Sequence, residues 1–254
     1  FQAEDGIRAF GLSRGLGDGY RRQASHCKPS TQNEDGRCVD LFITPKLGML
    51  KVIDVTRADV VELHQGLKET PYQANRVLGV LSIMFTLADT WGVRSDGINP
   101  CWKVKRYKEV KRERYLTPDE LARLGKVLRE AEGEPEAATC IRLLLLTGCR
   151  LGEIQTLKWD YVDARAGVLR LPDSKTGAKV VPIGQAALDV LKDIPRIEGN
   201  PYVITGKVEG RHLTDIQHPW RRLRARAGLD TLRIHDLRHS FASDALQLGA
   251  DLTM

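Results

Sequence analysis

The amino-acid sequence predicts a mainly helical (α+β) chain, with two helical regions and short strand candidates around one turn. Three observations carry this reading. Apolar residues recur at three- and four-residue spacing from Val77 to Ala88, and a mostly apolar run follows from Ala138 to Leu146. Two short strand-like runs flank the turn Lys175-Thr176-Gly177. A basic stretch, residues 103–114, divides the two helical regions and carries seven bases against two acids.

The elements follow in order. Thr56-Arg57-Ala58-Asp59 is a capped helix start with an acid in its first turn. Val60, Val61 and Leu63 come next, and Leu67 lies one helical turn beyond Leu63. Pro71 opens a longer helix whose apolar positions are Val77, Leu78, Leu81, Met84, Phe85 and Ala88, with Trp91-Gly92 as its stop. Asn99-Pro100 breaks the chain before the basic run. Residues 41–100 therefore read as a small helical bundle and 101–114 as a basic linker. Thr117-Pro118-Asp119-Glu120 is a second start, with Thr as N-cap, Pro at the first helical position and Glu at the third. Gly167–Pro172 and Ala178–Ile183 are strand candidates, and Tyr202–Thr205 is a further one. Gln185–Asp193, residues 214–227 and residues 235–248 are predicted helices, the last ending at Gly249.

The first residues stand apart. Gln2-Ala3-Glu4-Asp5-Gly6-Ile7-Arg8 is what CAA GCA GAA GAC GGC ATA CGA encodes, a string that resembles a sequencing-library adapter. Residues 13–23 resemble the translation of a transposase-type adapter, with Gly19 and Arg21 departing from it. Residues 1–23 are read as adapter-encoded and set aside from fold reasoning. The chain is thus expected to be a fragment of a longer protein, cut at both ends. Residues 24–40, polar and without period, are ambiguous.

The 254 residues carry a net charge of +6. Setting residues 1–23 aside removes four bases and three acids and leaves +5, so a polyanionic partner remains plausible. Seven arginines lie within residues 211–238. The cysteines, Cys27, Cys38, Cys101, Cys140 and Cys149, are odd in number and scattered, which points to neither a disulfide framework nor a zinc site. That usage fits a reducing cytoplasm, the expected location. No apolar run reaches the ~18–20 residues of a membrane span, so no membrane partner is expected.

Chemistry concentrates in three segments: Leu146-Thr147-Gly148-Cys149-Arg150-Leu151-Gly152-Glu153, Asp173-Ser174-Lys175-Thr176-Gly177, and His235-Asp236-Leu237-Arg238-His239-Ser240. Taken singly, an Arg after a helix is a surface ion pair, a turn Lys is solvated, and a His at a helix start is a cap. Together, Arg150, Lys175, His235 and Arg238 suit a site that grips one phosphate. Two guanidinium groups can each donate in parallel to non-bridging oxygens. His235 lies three residues before Arg238, on the same side of a helix, and can donate to phosphate or move a proton near neutral pH. Gly148 lets the backbone turn sharply, and Glu153 is placed to brace a basic neighbour. His239 is expected to face another direction from His235 and to take a packing or supporting role.

In this order and context these segments resemble the tyrosine recombinase (phage integrase) family. The resemblance extends from about residue 43 onward. Val55-Thr56-Arg57-Ala58-Asp59 and Thr70-Pro71-Tyr72-Gln73-Ala74-Asn75-Arg76 are similar to the family's core-binding domain, though less specifically. It implies a SAM-like helical core-binding domain (residues 41–100) and a mostly helical DNA breaking-rejoining catalytic domain with a small antiparallel sheet (residues 115–254). It implies duplex DNA as partner, touched by Lys103, Lys105, Arg106, Lys108, Lys111, Arg112 and Arg114 of the linker, and a tetramer on paired sites in the full-length protein. It implies chemistry without metal or nucleotide cofactor. A tyrosine attacks phosphorus, Lys175 protonates the departing oxygen, and a 3′-phosphotyrosyl link stores the bond energy until a 5′-hydroxyl reverses the step.

The chain departs from the family in one respect. Its tyrosines are Tyr20, Tyr72, Tyr107, Tyr115, Tyr161 and Tyr202, and none follows Arg238. The family's later His or Trp is absent too. The expectation is therefore an active parent recombinase and an inactive fragment. A DNA-binding protein without catalysis is the alternative. A type IB topoisomerase shares the chemistry, but the core-binding segment argues against it.

Overall fold

The computed structural model describes residues 29–94, 98–110, 112–172 and 177–247, with side chains from residue 31 to residue 241. The expectations for residues 1–23, for Lys111, for Lys175 and for the helix end at Gly249 lie outside the described residues. The chain divides into two compact units, residues 1–111 and 112–254, each with its own apolar core.

The first unit is helical. Helix α1 (Pro29–Cys38) runs through a π-helical turn, Val39–Ile43, into the short α2 (Thr44–Leu47). α1 begins within the stretch that showed no period in sequence, and its Asp35 pairs with Arg76 at 2.5 Å. α3 (Arg57–Gly66) starts where the capping signal lies. Asp59 Oδ2 accepts the Thr56 backbone N–H at 2.8 Å, and Thr56 Oγ1 accepts that of Asp59 at 3.4 Å. α4 (Pro71–Thr90) has Pro at its first position and ends before Gly92, whose φ is 68°. All six of its predicted apolar positions are buried, together with Val39, Ile43, Val55 and Val60. Residues 103–110 lie on α4 without regular structure. The Asn75 amide bonds the Tyr107 carbonyl at 2.9 Å and Glu109 at 2.8 Å, and buried His64 stacks on Tyr107 with ring centroids 4.5 Å apart.

The second unit opens with α5 (Pro118–Arg129), capped by Thr117 and Glu120 as the sequence predicts. α6 (Pro135–Thr147) is largely buried and stops at Gly148, in the left-handed region at φ 60°. A Cβ there would lie 2.2 Å from the Phe241 ring, so the position requires glycine on both counts. α7 (Leu151–Gln155) follows at once. A sheet of three antiparallel strands comes next: β1 (Val162–Asp163), β2 (Val168–Leu171) and β3 (Lys179–Pro182). In its register Leu171 faces Lys179 and Val168 faces Pro182. β1 was not foreseen, being two residues long. Tyr202–Thr205 forms isolated bridges, Tyr202 to Lys158 and Thr205 to His212, instead of a strand. α8 (Gln185–Lys192), α9 (Gln217–Arg226) and α10 (Ile234–Gln247) complete the unit. Leu124, Ile141, Leu144, Ile154, Trp220 and Leu237, each at most 2% exposed, form its centre. No helix of the described residues is long and apolar enough to cross a membrane.

Candidate active site

The site is assembled where α6 stops. Thr147 Oγ1 donates to the Leu143 carbonyl at 2.7 Å and accepts the Cys149 backbone N–H at 3.2 Å, fixing the last turn. Gly148 then reverses the chain and sets Arg150 at the N-cap of α7, with extended backbone angles. Glu153, 8% exposed, sits three residues on. Its Oε2 accepts the Arg150 backbone N–H at 2.8 Å, and its Oε1 accepts Arg150 Nη1 at 3.0 Å. The brace expected of Glu153 is thus made. Lys179, at the start of β3, adds a third bond from Nζ to Glu153 Oε2 at 2.8 Å. Burial would raise the Glu153 pKa, but the bonds from Lys179 and Arg150 outweigh it and hold the carboxyl below its ordinary value.

α10 brings the second basic pair. Asp236, 4% exposed, accepts the Arg233 backbone N–H at 2.9 Å and so caps the helix start. His235 and Arg238 fall on the same side. Arg238 Nη1 donates to the Gly148 carbonyl, which ties the two arginine segments together across 90 positions of sequence. Partial burial, then the neighbouring positive charges of His239 and Arg238, lower the His235 pKa. Its imidazole is therefore biased toward the neutral form. The expectation for His239 is corrected here. Its ring meets that of His235 edge to face, with centroids 4.9 Å apart, because residues i and i+4 of a helix share a face.

A cavity of about 410 Å³ adjoins His235 and Arg238, walled also by Cys149, Trp220, Arg224 and Arg233. Among the described residues its lining holds no carboxylate. Burial pushes the Cys149 thiol pKa up, so that wall is uncharged. Among the described residues, Trp220 Nε1 and Arg224 Nε are buried N–H groups without a hydrogen-bond partner. Such a lining, rich in N–H donors and cations, suits an anion with several acceptor oxygens.

The basic residues of the linker separate into two sets. Lys103, Lys105, Arg106 and Lys108 are exposed on the first unit. Arg112 and Arg114 are engaged within the second unit. Arg112 bonds Asp236 at 3.1 Å and the Thr231 carbonyl at 2.6 Å, and Arg114 grips both oxygens of Glu120 at 2.9 and 2.5 Å. Sequence reasoning missed Asp236, Lys179, Arg224 and Arg233 as members of the site. Asp236 bonds Arg233, three residues before it, a spacing hidden because the sequence places the helix start at residue 235. Lys179 was not findable, since 26 positions separate it from Glu153.

The second unit has the mostly helical fold with a small antiparallel sheet that is seen in integrase structures. Residues 114–254 match the phage integrase family, and the chain belongs to that family. A shufflon-specific DNA recombinase of Escherichia coli is 31% identical over 96% of this chain and 64% of its own length. Tyrosine recombinase XerD of Pseudomonas putida is 34% identical over 49% of this chain and 45% of its own. The chain therefore spans less than two thirds of the length of these relatives. Among solved structures, a lambda integrase (75-356) dimer bound to a COC′ core site aligns with a TM-score of 0.77 at 20% identity, covering 93% of this chain and 90% of that one. The Tn1549 transposon integrase in complex with circular intermediate DNA aligns at 0.71 and 18% identity, covering 93% and 88%. At these identities the likeness establishes the fold alone, mostly helical with a small antiparallel sheet.

Proposed function

We propose that this chain is the core of a site-specific DNA recombinase, the integrase of a phage or mobile element, which breaks and rejoins duplex DNA through a 3′-phosphotyrosyl intermediate. The observation that carries the reading is the bond from Arg238 to the Gly148 carbonyl, which joins the two arginine segments beside a donor-rich cavity lined by Arg238 and by Cys149 and Leu151, the neighbours of Arg150. Arg150 and Arg238 donate to the non-bridging oxygens of the scissile phosphate. His235 donates to the same phosphate or moves the tyrosine's proton. Lys175 protonates the departing 5′-oxygen as the tyrosine oxygen bonds to phosphorus, and the reverse step returns that proton. No tyrosine of the sequence follows Arg238, and the attacking tyrosine is not assigned to any residue of this sequence. The relatives' names and the DNA in the similar structures support duplex DNA as partner, and the complete protein is read as acting as a tetramer on paired sites in the cytoplasm.

A nicked suicide substrate carrying the target site tests the proposal. The 254-residue chain is expected to form no adduct. The same chain with its natural C-terminal continuation is expected to form a tyrosine-linked one without divalent metal. In that protein Arg150→Ala and Arg238→Ala each remove donors that act on charge developing in the transition state. Each is expected to cost roughly 3–4 kcal/mol, about a hundred- to thousand-fold in cleavage rate, while DNA binding persists. Undiminished cleavage in either variant would overturn the clamp assignment. Duplex binding with no adduct from the extended protein would favour a DNA-binding protein without catalysis.

A further inference from the structure

We propose that Lys179 is a positioning residue for the phosphate clamp: it neutralises the buried Glu153 carboxylate, so that Arg150 is held in place without losing its net positive charge. The inference rests on the recombinase reading of Arg150 and deepens it. Glu153 serves Arg150 twice, through the backbone N–H at 2.8 Å and through Nη1 at 3.0 Å. A buried carboxylate paired with a single guanidinium cancels its charge, and a cancelled arginine attracts a phosphate weakly. Lys179 changes that balance. Its Nζ reaches Glu153 Oε2 at 2.8 Å. One Arg and one Lys against one Glu leave one net positive charge on the group.

The placement favours this role. Arg150 retains a one-third exposed side chain, open to a ligand, whereas Glu153 is buried and can satisfy its oxygens only from its neighbours. Lys179 comes from another element, and its backbone is fixed by pairing with Leu171 across the sheet. The lowered pKa of Glu153 agrees: burial alone would raise it, and the Lys179 bond is the foremost cause that offsets burial. An ion pair that merely anchored β3 would leave the charge seen by a ligand at Arg150 out of account. The two roles therefore differ in what removing the carboxylate does.

The test uses the 254-residue chain. Phenylglyoxal modifies accessible guanidinium groups, and peptide mass spectrometry reads the rate at Arg150. Sulfate, a tetrahedral dianion, serves as the competing probe at constant ionic strength. Wild type is expected to show sulfate protection of Arg150. Lys179→Gln is expected to raise the half-protecting sulfate concentration roughly three- to tenfold, the scale of one unit charge several ångströms away at intermediate dielectric. Lys179→Arg is expected to behave as wild type. The double variant Glu153→Gln with Lys179→Gln is expected to recover most of the protection, because the carboxylate that needed neutralising is gone. Melting followed by circular dichroism checks folding. If Lys179→Gln does not fold, Glu153→Gln alone carries the test and is expected to strengthen protection. Unchanged protection in Lys179→Gln, a double variant no better than the single one, or weaker protection in Glu153→Gln alone overturns the inference. Absence of sulfate protection in wild type overturns the phosphate-site reading itself, and this inference with it.

Discussion

His235 shows how a single residue acquires its chemistry from its surroundings. A histidine ordinarily titrates near neutral pH. Here partial burial and the positive charges of His239 and Arg238 disfavour the imidazolium. A nuclear magnetic resonance titration is expected to place its midpoint below the ordinary histidine value, and Arg238→Ala is expected to move it back up. A midpoint above the ordinary value in wild type would contradict the geometry. The sign for stability follows. A histidine whose folded pKa is depressed costs the fold stability as pH falls below its unfolded value, because the unfolded chain then binds the proton more readily. Gly148 is the other decisive residue. Alanine there meets both the left-handed strain and the Phe241 ring, so Gly148→Ala is expected to destabilise by about 2 kcal/mol or more in urea unfolding. The need for a sharp turn was legible in the sequence. The reason for it, a ring from a helix some ninety positions later, was not.

At the scale of elements, capping chemistry located the helix starts well. The boxes at Thr56–Asp59 and Thr117–Glu120 are both formed. At the second, the Arg114 bond, then the Thr117 backbone N–H, pull the Glu120 pKa down to about 2. Thr117→Ala is expected to cost about 1 kcal/mol, seen as a lower urea midpoint with an unchanged slope. An unchanged midpoint would mean that Arg114 alone holds the turn. The elements that escaped notice did so for physical reasons. Residues 29–38 carry no apolar stripe: the segment is tied down by the Asp35–Arg76 pair, and apolar burial begins only at Cys38 and continues through Val39, Ile43 and Leu47. Tyr202–Thr205 has strand-like composition, but its neighbours offer it single bridges and no ladder.

For the whole molecule, the distribution of charge matters more than its total. The basic run looked uniform in sequence, yet the structure leaves four of its bases exposed on the first unit and spends Arg112 and Arg114 on carboxylates of the second. The two sets are expected to behave differently. Duplex binding by residues 29–254, followed by fluorescence anisotropy, is expected to weaken steeply with salt, and Lys105→Ala or Lys108→Ala to lower the slope of log affinity against log salt by about 1 each. Arg112→Ala is expected instead to lower the melting temperature, since it strands Asp236, 4% exposed, without its cation. A salt slope unchanged in both lysine variants would remove the exposed run from the DNA interface.

Apolar spacing, caps and turn motifs were enough to read the helical class, most helix starts, the β2–β3 pairing and the candidate residues of the proposed site. Each of these rests on local information: apolar spacing, a cap three residues from its partner, or a short motif around one turn. The tertiary structure alone decided how the site is wired. It set Arg238 on the Gly148 carbonyl, Lys179 on Glu153, Asp236 on Arg112 and His239 against His235. It also gathered Trp220, Arg224 and Arg233 around one cavity. Apart from the two histidines, these partners lie 26 to 124 positions apart. Only the packing of helices onto a shared core sets such distances, and no local pattern records them.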